Sequence, residues 1–224
     1  MMKLRTLLIG FCCLIICAAA VSAQQTPASP NRWEADIKKF EEADRQNPPA
    51  KSAVVFVGSS SIRMWKDLAE DFPDTKVINR GFGGSQLADS TYYADRIVIP
   101  YQPRMVVLYA GDNDLAAGKT SQQVFEDYKA FVSRVREKLP NAKIAFISIK
   151  PSLARVKLME QMRATNELIR GYAAAGKNLV FIDVFPPMLN QAGQPRPELF
   201  IQDGLHMNRE GYDIWRKVVA PYLH

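Results

Sequence analysis

Three consecutive serines follow a strongly apolar segment near the start of the chain and raise the question of which hydroxyl could react. Residues 54–65 read VVFVGSSSIRMW, so that Gly58 is followed by Ser59, Ser60 and Ser61. A serine after a strand is most often a helix cap. A glycine-led polar loop can also hold a phosphate, and a serine beside a base can become a nucleophile. The segment by itself therefore leaves three chemistries open.

The histidines narrow the choice of a base. The chain contains two of them, His206 and the terminal residue His224, and chain ends are usually mobile. His206 is thus the candidate imidazole base. Asp203 stands three residues earlier, a spacing that lets its carboxylate reach Nδ1 and leave Nε2 free to take a proton. An isolated D-x-x-H is also typical of a solvated turn with a helix-capping aspartate.

Two further stretches could supply hydrogen-bond donors to a reacting oxygen. The glycine-rich run at 81–84 lacks the spacings G-x-x-x-x-G-K-[ST] and G-x-G-x-x-G, which disfavours a nucleotide site. Its bare backbone N–H groups could instead approach an oxyanion. Asn113, in the run Gly-Asp-Asn-Asp, could donate from its side-chain amide, although such a residue is also typical of a turn.

The elements that must position these residues alternate along the chain. Apolar runs predict strands at 53–57, 76–78, 105–109, 144–149 and 179–184, and helical periodicity predicts helices at 31–46, 62–69, 86–98, 121–139, 154–175 and 208–222. Strands that are apolar throughout are typical of a sheet covered on both faces. The alternation predicts an α/β fold, a five-stranded parallel sheet between two helical layers.

This architecture indicates where a site would form. Ligands of open α/β sheets bind beyond the carboxyl ends of the strands. The serine run, the glycine run and the Gly-Asp-Asn-Asp run each follow a strand, and Asp-Gly-Leu-His precedes the last helix. The sequence therefore predicts that a nucleophile, oxyanion donors, a base and an orienting acid meet at one sheet edge.

Composition limits the other classes of function. The three cysteines lie at positions 12, 13 and 17, within the first 23 residues, which we expect to be cleaved off for the reason given in the next paragraph. The remaining chain has two histidines and no cysteine, so we expect no metal site and no cofactor. The net charge is +6, and it becomes +4 once Lys3 and Arg5 are removed with the first 23 residues, leaving 27 basic and 23 acidic residues. Without a Lys/Arg block, this balance disfavours a nucleic-acid partner.

The first 23 residues have the layout of a secretory signal peptide. A basic start precedes an apolar run from Leu7 to about Val21, and Val21-Ser22-Ala23 offers a cleavage site before Gln24. An uncleaved membrane anchor is the alternative, although the run is short for a span of about 20 residues. We expect a periplasmic or secreted protein without stable membrane insertion after cleavage.

The four blocks VGSSS, NRGFGGS, GDND and DGLH together resemble those of the SGNH or GDSL hydrolase superfamily, which includes GDSL-like lipases and esterases, lysophospholipases and relatives of the platelet-activating-factor acetylhydrolase subunits. The resemblance covers roughly residues 51–222. It implies a three-layer α/β/α flavodoxin-like sandwich. We accordingly predict a signal peptide at 1–23, a linker and N-terminal helix at 24–50, and a hydrolase domain at 51–224.

The resemblance implies a role for each matched residue. Ser60 corresponds to the nucleophile, and Asp203 and His206 complete a Ser-His-Asp triad. The backbone N–H groups of Ser60 and Gly84 and the side-chain amide of Asn113 would form the oxyanion hole. Ser59 departs from the family's aspartate, which leaves open how the nucleophile loop is braced. Asp183 is a rival orienting carboxylate, although it lies outside the matched block.

The predicted function is that of an exported serine esterase acting on short acyl groups, such as O-acetyl on carbohydrate, with a small-molecule or carbohydrate ester as partner. A lysophospholipase or lipase-type acyl hydrolase is one alternative. A non-enzymatic carbohydrate- or envelope-binding module on the same fold is another. Arg63, Lys150 and Arg155 are expected near the rim of the site, each in a solvated role.

Overall fold

A computed structural model describes residues 32–223 of the 224-residue chain. The predicted signal peptide, the predicted linker after it and His224 lie outside the described residues. Five strands form one sheet: β1 Val54–Gly58, β2 Val77–Gly81, β3 Met105–Tyr109, β4 Lys143–Ile147 and β5 Leu179–Ile182. All neighbouring strands are parallel, in the order β2-β1-β3-β4-β5. The predicted five-stranded parallel sheet is confirmed.

Helices cover both faces of this sheet. They are α1 Glu34–Gln46, α2 Ser60–Arg63, α3 Leu68–Asp71, α4 Leu87–Ile97, α5 Asp112–Ala116, α6 Ser121–Lys138, α7 Met159–Ala175 and α8 Arg209–Val219. One core cluster joins α1, α4, α6 and α7 to the sheet, and the other joins α2, α3 and α8 to its opposite face. The two clusters take alternate residues of β1, Val55 and Val57 on one face and Val54 and Phe56 on the other. The predicted three-layer sandwich is therefore confirmed.

Three helices differ from the sequence prediction. The segment predicted as one helix at 62–69 is two short helices, α2 and α3, with the turn between them held by Asn79, whose side-chain amide donates to the carbonyls of Ile62 and Trp65. The helix predicted from 154 begins at Met159, after a loop and one 3₁₀ turn. The sequence analysis missed α5, which carries Asn113, because five residues are too short to show a helical period.

Strand β4 ends two residues earlier than the apolar run that predicted it. The backbone N–H and carbonyl of Ile149 bond to the side chain of Asn166 on α7, at 2.8 and 3.0 Å. A buried side-chain amide thus takes the place of a strand partner, which satisfies the backbone and releases the chain from the sheet. The chain can then turn into the loop at 150–158.

The first helix packs onto the same core although its exposed face is strongly polar. Trp33 and Ile37 are buried in the cluster that also contains β1 and α4 residues. Arg96 of α4 bonds to both Glu34 and Glu41 of α1, with nitrogen–oxygen distances from 2.6 to 3.1 Å. Hydrophobic burial and these ion pairs fix α1 beside α4. Within residues 32–223, no helix combines the length and the apolar character that crossing a membrane requires.

Candidate active site

The strand β1 delivers the serine run to the carboxyl end of the sheet through a turn that only glycine can make. Gly58 has a φ of +132°, and a Cβ at this position would lie 1.9 Å from the carbonyl oxygen of Tyr109. The N–H of Ser59 then donates to that same oxygen at 2.9 Å. Ser60 opens α2 directly after this turn. The backbone of β3 thus sets where the serines leave the sheet.

The three hydroxyls have different surroundings. Ser59 and Ser61 are buried, whereas Ser60 is partly exposed. The Ser59 hydroxyl has no hydrogen-bond partner among residues 32–223, so the loop is braced by backbone bonds and not by the side chain that replaces the family's aspartate. Ser61 is a buried residue of α2, and the Tyr212 hydroxyl donates to its backbone carbonyl at 2.8 Å. Only the Ser60 hydroxyl opens onto the cavity described below.

His206 connects Ser60 to Asp203. Its Nε2 lies 2.8 Å from Ser60 Oγ and its Nδ1 lies 2.6 Å from Asp203 Oδ2. The other carboxylate oxygen of Asp203 accepts from the backbone N–H groups of Leu205 and His206, each at 2.9 Å. The rival carboxylate, Asp183, instead pairs with Arg170 at 2.6 Å. The structure thus brings together the three residues predicted as a triad.

Electrostatics keep the Asp203 carboxylate ionised. Partial burial raises its pKa, but hydrogen bonds from the His206 ring and from the backbone N–H groups of His206 and Leu205 outweigh that effect and lower the pKa of Asp203 to about 2. An ionised carboxylate on Nδ1 fixes the imidazole tautomer that carries its proton on Nδ1. Nε2 is then the unprotonated nitrogen that faces the Ser60 hydroxyl.

The predicted oxyanion donors line the same cavity as Ser60 and His206. This cavity has a volume of about 340 Å³ and is lined by Asp36, Ser60, Arg63, Gly83, Gly84, Asn113, Leu205 and His206. Gly84 has a φ of +77°, a left-handed conformation that glycine adopts at little cost. The Asn113 amide nitrogen donates to the Ser85 carbonyl at 3.0 Å. Serine, glycine and asparagine therefore surround one space, and their oxyanion roles stay predictions.

A buried carboxylate joins α5, which carries Asn113, to the segment that follows Gly84. Asp114 is fully buried and accepts from the Leu87 N–H, with both carboxylate oxygens 3.3 Å from that nitrogen. Burial raises the pKa of Asp114 to about 6, although the Lys119 ammonium at 2.9 Å acts in the opposite direction. Asp114 thus ties α5, which carries Asn113, to the first turn of α4, just after the glycine run.

Several residues at the site were missed or misjudged from sequence. Trp33 donates from Nε1 to the Gly83 carbonyl at 2.9 Å, and nothing in its sequence context indicated this. The expectation that Lys150 is solvated was wrong, since it is 1% exposed and donates to the Leu205 carbonyl at 2.9 Å. Arg155 was also expected to be solvated, but it bonds to Asn113. Arg63 is exposed, as expected.

Within residues 32–223, no group of three or more histidine, cysteine, aspartate or glutamate side chains is placed to hold a metal ion. The hydrogen-bonded set of serine, histidine and aspartate needs no metal to activate a hydroxyl.

A parallel α/β/α sandwich with a serine, an imidazole and a carboxylate in hydrogen-bond contact beyond its strands is an arrangement found in serine hydrolases. The chain belongs to the GDSL-like lipase/acylhydrolase family, whose model matches residues 56–214. The predicted superfamily is thereby confirmed. The fold places the four sequence blocks at one edge of the sheet, which is where the family's acylhydrolase chemistry would need them.

Known proteins similar to this chain agree with that assignment. Human platelet-activating factor acetylhydrolase IB subunit alpha1 is 26% identical over 211 residues, which is 86% of this chain and 87% of the relative. A GDSL-like lipase from Bacteroides thetaiotaomicron has a similar structure, with a TM-score of 0.69 at 22% identity over 84% of this chain and 97% of that one. A carbohydrate esterase family 3 structure from Talaromyces cellulolyticus gives a TM-score of 0.62 at 19% identity, over 76% and 95% of the two chains.

Proposed function

We propose that this protein hydrolyses carboxylic esters through an acyl-enzyme formed on Ser60. The observation that carries the proposal is the line of contacts from Ser60 Oγ to His206 Nε2 at 2.8 Å and from His206 Nδ1 to Asp203 Oδ2 at 2.6 Å. A hydroxyl becomes a useful nucleophile when a base lies within hydrogen-bond reach and that base is oriented by a third group. These three residues meet both conditions.

In the acylation half-reaction, Ser60 Oγ attacks the ester carbonyl carbon while His206 Nε2 takes the hydroxyl proton. The carbonyl π electrons move to the oxygen, and the resulting oxyanion accepts from the N–H groups of Ser60 and Gly84 and from the amide of Asn113. His206 then gives its proton to the leaving alkoxide as the ester C–O bond breaks. Water releases the acyl group by the same steps. One oxyanion donor is typically worth about 10²–10³ in rate.

The lining of the cavity favours a polar substrate with a short acyl group. Leu205 contributes the one apolar side chain among the eight residues that line it, and Asp36 and Arg63 contribute opposite charges. Partly exposed charged side chains can form hydrogen bonds with the hydroxyl groups of a substrate, whereas a long alkyl chain would have little apolar surface to pack against in this cavity. We infer a substrate such as an O-acetyl group on carbohydrate. The fold shared with a carbohydrate esterase is compatible with this class.

Export is a further part of the proposal. The apolar run and the small-residue site before Gln24 are typical of a cleaved signal peptide, so we place the enzyme in the periplasm or outside the cell. Mass spectrometry of the cell-envelope fraction tests this proposal. A mature N-terminus at Gln24 would support it, and retention of residues 1–23 would contradict it.

The experiment that tests the activity is hydrolysis of p-nitrophenyl acetate by the purified domain. Wild type should release nitrophenol with saturation kinetics, and Ser60→Ala, in a folded protein, should lose at least about 10³ in kcat because the nucleophile is gone. A folded wild-type protein that hydrolyses no ester would favour the binding-module alternative. Activity retained in Ser60→Ala would contradict the assigned nucleophile.

A second candidate, a lysophospholipase or lipase-type activity, is favoured by one observation. Leu153, Val156 and Ile201 are exposed by 38%, 42% and 42%. Their two loops meet at Gly204, whose N–H donates to the Ile201 carbonyl and whose carbonyl accepts from the N–H of Ala154. These apolar side chains lie beside the loop that carries His206 and could support a longer acyl chain.

A further inference from the structure

Arg155 lies behind the oxyanion side of the site and not at a solvated rim. Its side chain is only 16% exposed, and it precedes α7 in the loop that follows β4. Its Nη2 donates to the side-chain oxygen of Asn113 at 2.8 Å. A long cationic side chain with so little exposure needs partners that repay its desolvation.

The partners of Asn113 dictate which way its amide faces. The Arg155 guanidinium can only donate, so it requires the amide oxygen. On the nitrogen side, the Ser85 carbonyl can only accept, and it receives the amide N–H at 3.0 Å. If the amide were rotated by 180°, its NH₂ group would face the donating guanidinium of Arg155 and its oxygen would face the accepting carbonyl of Ser85. Neither pair could form a hydrogen bond. The observed orientation leaves the second N–H of the amide nitrogen without a hydrogen-bond partner among residues 32–223, on a side chain that lines the cavity with Ser60 and His206.

Arg155 is itself held by the residue next to Asn113. Its Nη1 lies 2.8 Å from Asp112 Oδ2, and the Asp112 side chain is 6% exposed. The angles at Nη1 do not meet those of a hydrogen bond, so this contact is a close ion pair and not a directed bond. The Arg155 guanidinium thus binds two consecutive residues of α5. It forms an ion pair with Asp112 and donates a hydrogen bond to Asn113.

We propose that Arg155 is a positioning residue that holds the Asn113 amide with its N–H toward the oxyanion. The inference rests on the proposed function, since it assigns how one donor of that oxyanion hole is kept in place. The guanidinium charge also polarises the amide from its oxygen side, which strengthens the N–H as a donor. Arg155 is not among the residues that line the cavity of Ser60 and His206, so it acts on the oxyanion through Asn113.

The decisive test is a double-mutant cycle on p-nitrophenyl acetate. Arg155→Met should lower kcat about 10- to 100-fold with KM changed less than about 2-fold, because the donor works mainly in the transition state. Asn113→Ala should give a loss at least as large. In the Asn113→Ala background, adding Arg155→Met should change kcat less than about 2-fold, since no amide remains to be oriented. A merely structural arginine would instead give additive losses.

Two further variants guard against a folding artefact. Arg155→Lys keeps a cation that can donate to the Asn113 oxygen, so we expect its kcat to lie between those of wild type and Arg155→Met. This variant can still be compared with wild type if Arg155→Met does not fold. Arg134→Met removes a surface arginine that pairs with Asp95 and Glu137, and its kcat should equal that of wild type. Additive losses in the cycle, or an unchanged kcat in a folded Arg155→Met, would overturn the inference.

Failure of the inference and failure of the proposed function give different results. A fluorophosphonate probe reports the activated serine without any turnover of ester. Wild type that is labelled and active, with an unchanged Arg155→Met, contradicts the role of Arg155 alone. Wild type that is neither labelled nor active contradicts the proposed function and with it the inference.

Discussion

At the scale of single residues, the three serines differ in burial and direction although they are identical in type. The turn at Gly58 places Ser59 and Ser61 in the protein interior and leaves Ser60 at the cavity, 2.8 Å from His206. Burial without a base leaves a hydroxyl inert, since its proton has no acceptor of matching basicity. The residue type therefore does not distinguish the three serines. The position of each hydroxyl relative to the His206 imidazole determines which one can act as the nucleophile.

Fluorophosphonate labelling tests this difference directly. Wild type should be labelled once, and Ser60→Ala should not be labelled, because the probe reacts only with a serine activated by a base. Ser59→Ala and Ser61→Ala should still be labelled, since neither hydroxyl contacts His206 in the structure. Peptide mapping of the labelled protein locates the adduct. An adduct on Ser59 or Ser61 would mean that the nucleophile lies one residue away from Ser60.

The residues that sequence analysis could find were those whose chemistry is visible in their type and local spacing. His206 stood out because a base was needed and histidine is rare in this chain, and Asp203 followed from its spacing. Arg155 and Trp33 gave no such signal. Their partners, Asn113 and Gly83, are 42 and 50 residues away, so only the folded chain brings them together.

At the scale of elements, the first helix is joined to the loop that carries Gly83 and Gly84 through the side chain of Trp33. Trp33, at the start of α1, donates to the Gly83 carbonyl at 2.9 Å, and Gly83 precedes the proposed donor Gly84. The Trp33 ring also packs edge-on against Phe82, with centroids 5.9 Å apart. An element that precedes the matched family region therefore helps to hold the backbone of the site.

Replacing Trp33 with phenylalanine separates this bond from the packing. Trp33→Phe keeps an aromatic ring but removes the N–H, so we expect a loss of about 1 kcal/mol in unfolding free energy and a several-fold fall in kcat as the glycine loop loosens. Trp215→Phe is the matched control. Trp215 is fully buried on the opposite face of the sheet, and its N–H donates to the Met188 sulfur at 3.4 Å. Urea unfolding and ester kinetics measure both effects. Equal losses of kcat in the two variants would contradict the coupling.

Lys150, which follows β4, makes a second prediction at this scale. Desolvation lowers the pKa of Lys150 to about 8, although Asp112 and Asp203 draw it upward. Its ordinary value in an unfolded chain is about 10.4. Between these two values the unfolded state binds more protons than the folded state, so the stability of the protein should rise with pH in that window. The cost of the buried charge is present below about pH 8 and is relieved above it.

Urea unfolding between pH 7 and 9.5 measures this rise against a variant that lacks the group. Lys150→Met should lack the increase, whereas Lys177→Met, which removes an exposed lysine, should keep it. Comparing variants removes the contribution of other groups that titrate in the same range. The same slope in wild type and Lys150→Met would show that the buried ammonium does not titrate there.

The fold was more predictable than the boundaries of its elements. Apolar strands between amphipathic helices are set by local pattern, and all five strands were found. The differences arose where a distant side chain changed the local outcome, as Asn166 ends β4 and Asn79 divides the segment at 62–69. The predicted domain boundary at 51 stays a prediction, because α1 packs on the same core as the matched region.

At the scale of the whole molecule, the polar cavity of the site and the exposed apolar side chains near it are separate surfaces. The cavity of about 340 Å³ lies on the strand edge, and the groups that line it are mainly polar side chains and glycine backbone. Apolar area that could hold an acyl chain lies outside it, at Leu153, Val156 and Ile201. The polar cavity favours a substrate with a short acyl group, whereas the outer apolar residues favour a long one.

A series of p-nitrophenyl esters from acetate to octanoate decides between them. If the polar cavity sets specificity, kcat/KM should be highest for acetate and fall steadily with chain length. Each added CH₂ would then lack an apolar surface against which it could be buried. If the outer apolar residues bind the chain, each buried CH₂ contributes about 0.8 kcal/mol and kcat/KM should rise instead. We expect the first result. Leu153→Ser and Val156→Ser provide the control, because neither residue lines the cavity, and both variants should hydrolyse acetate at the wild-type rate. A selective loss of octanoate hydrolysis in these two variants, together with a wild-type preference for octanoate, would assign the enzyme to lipid-like esters.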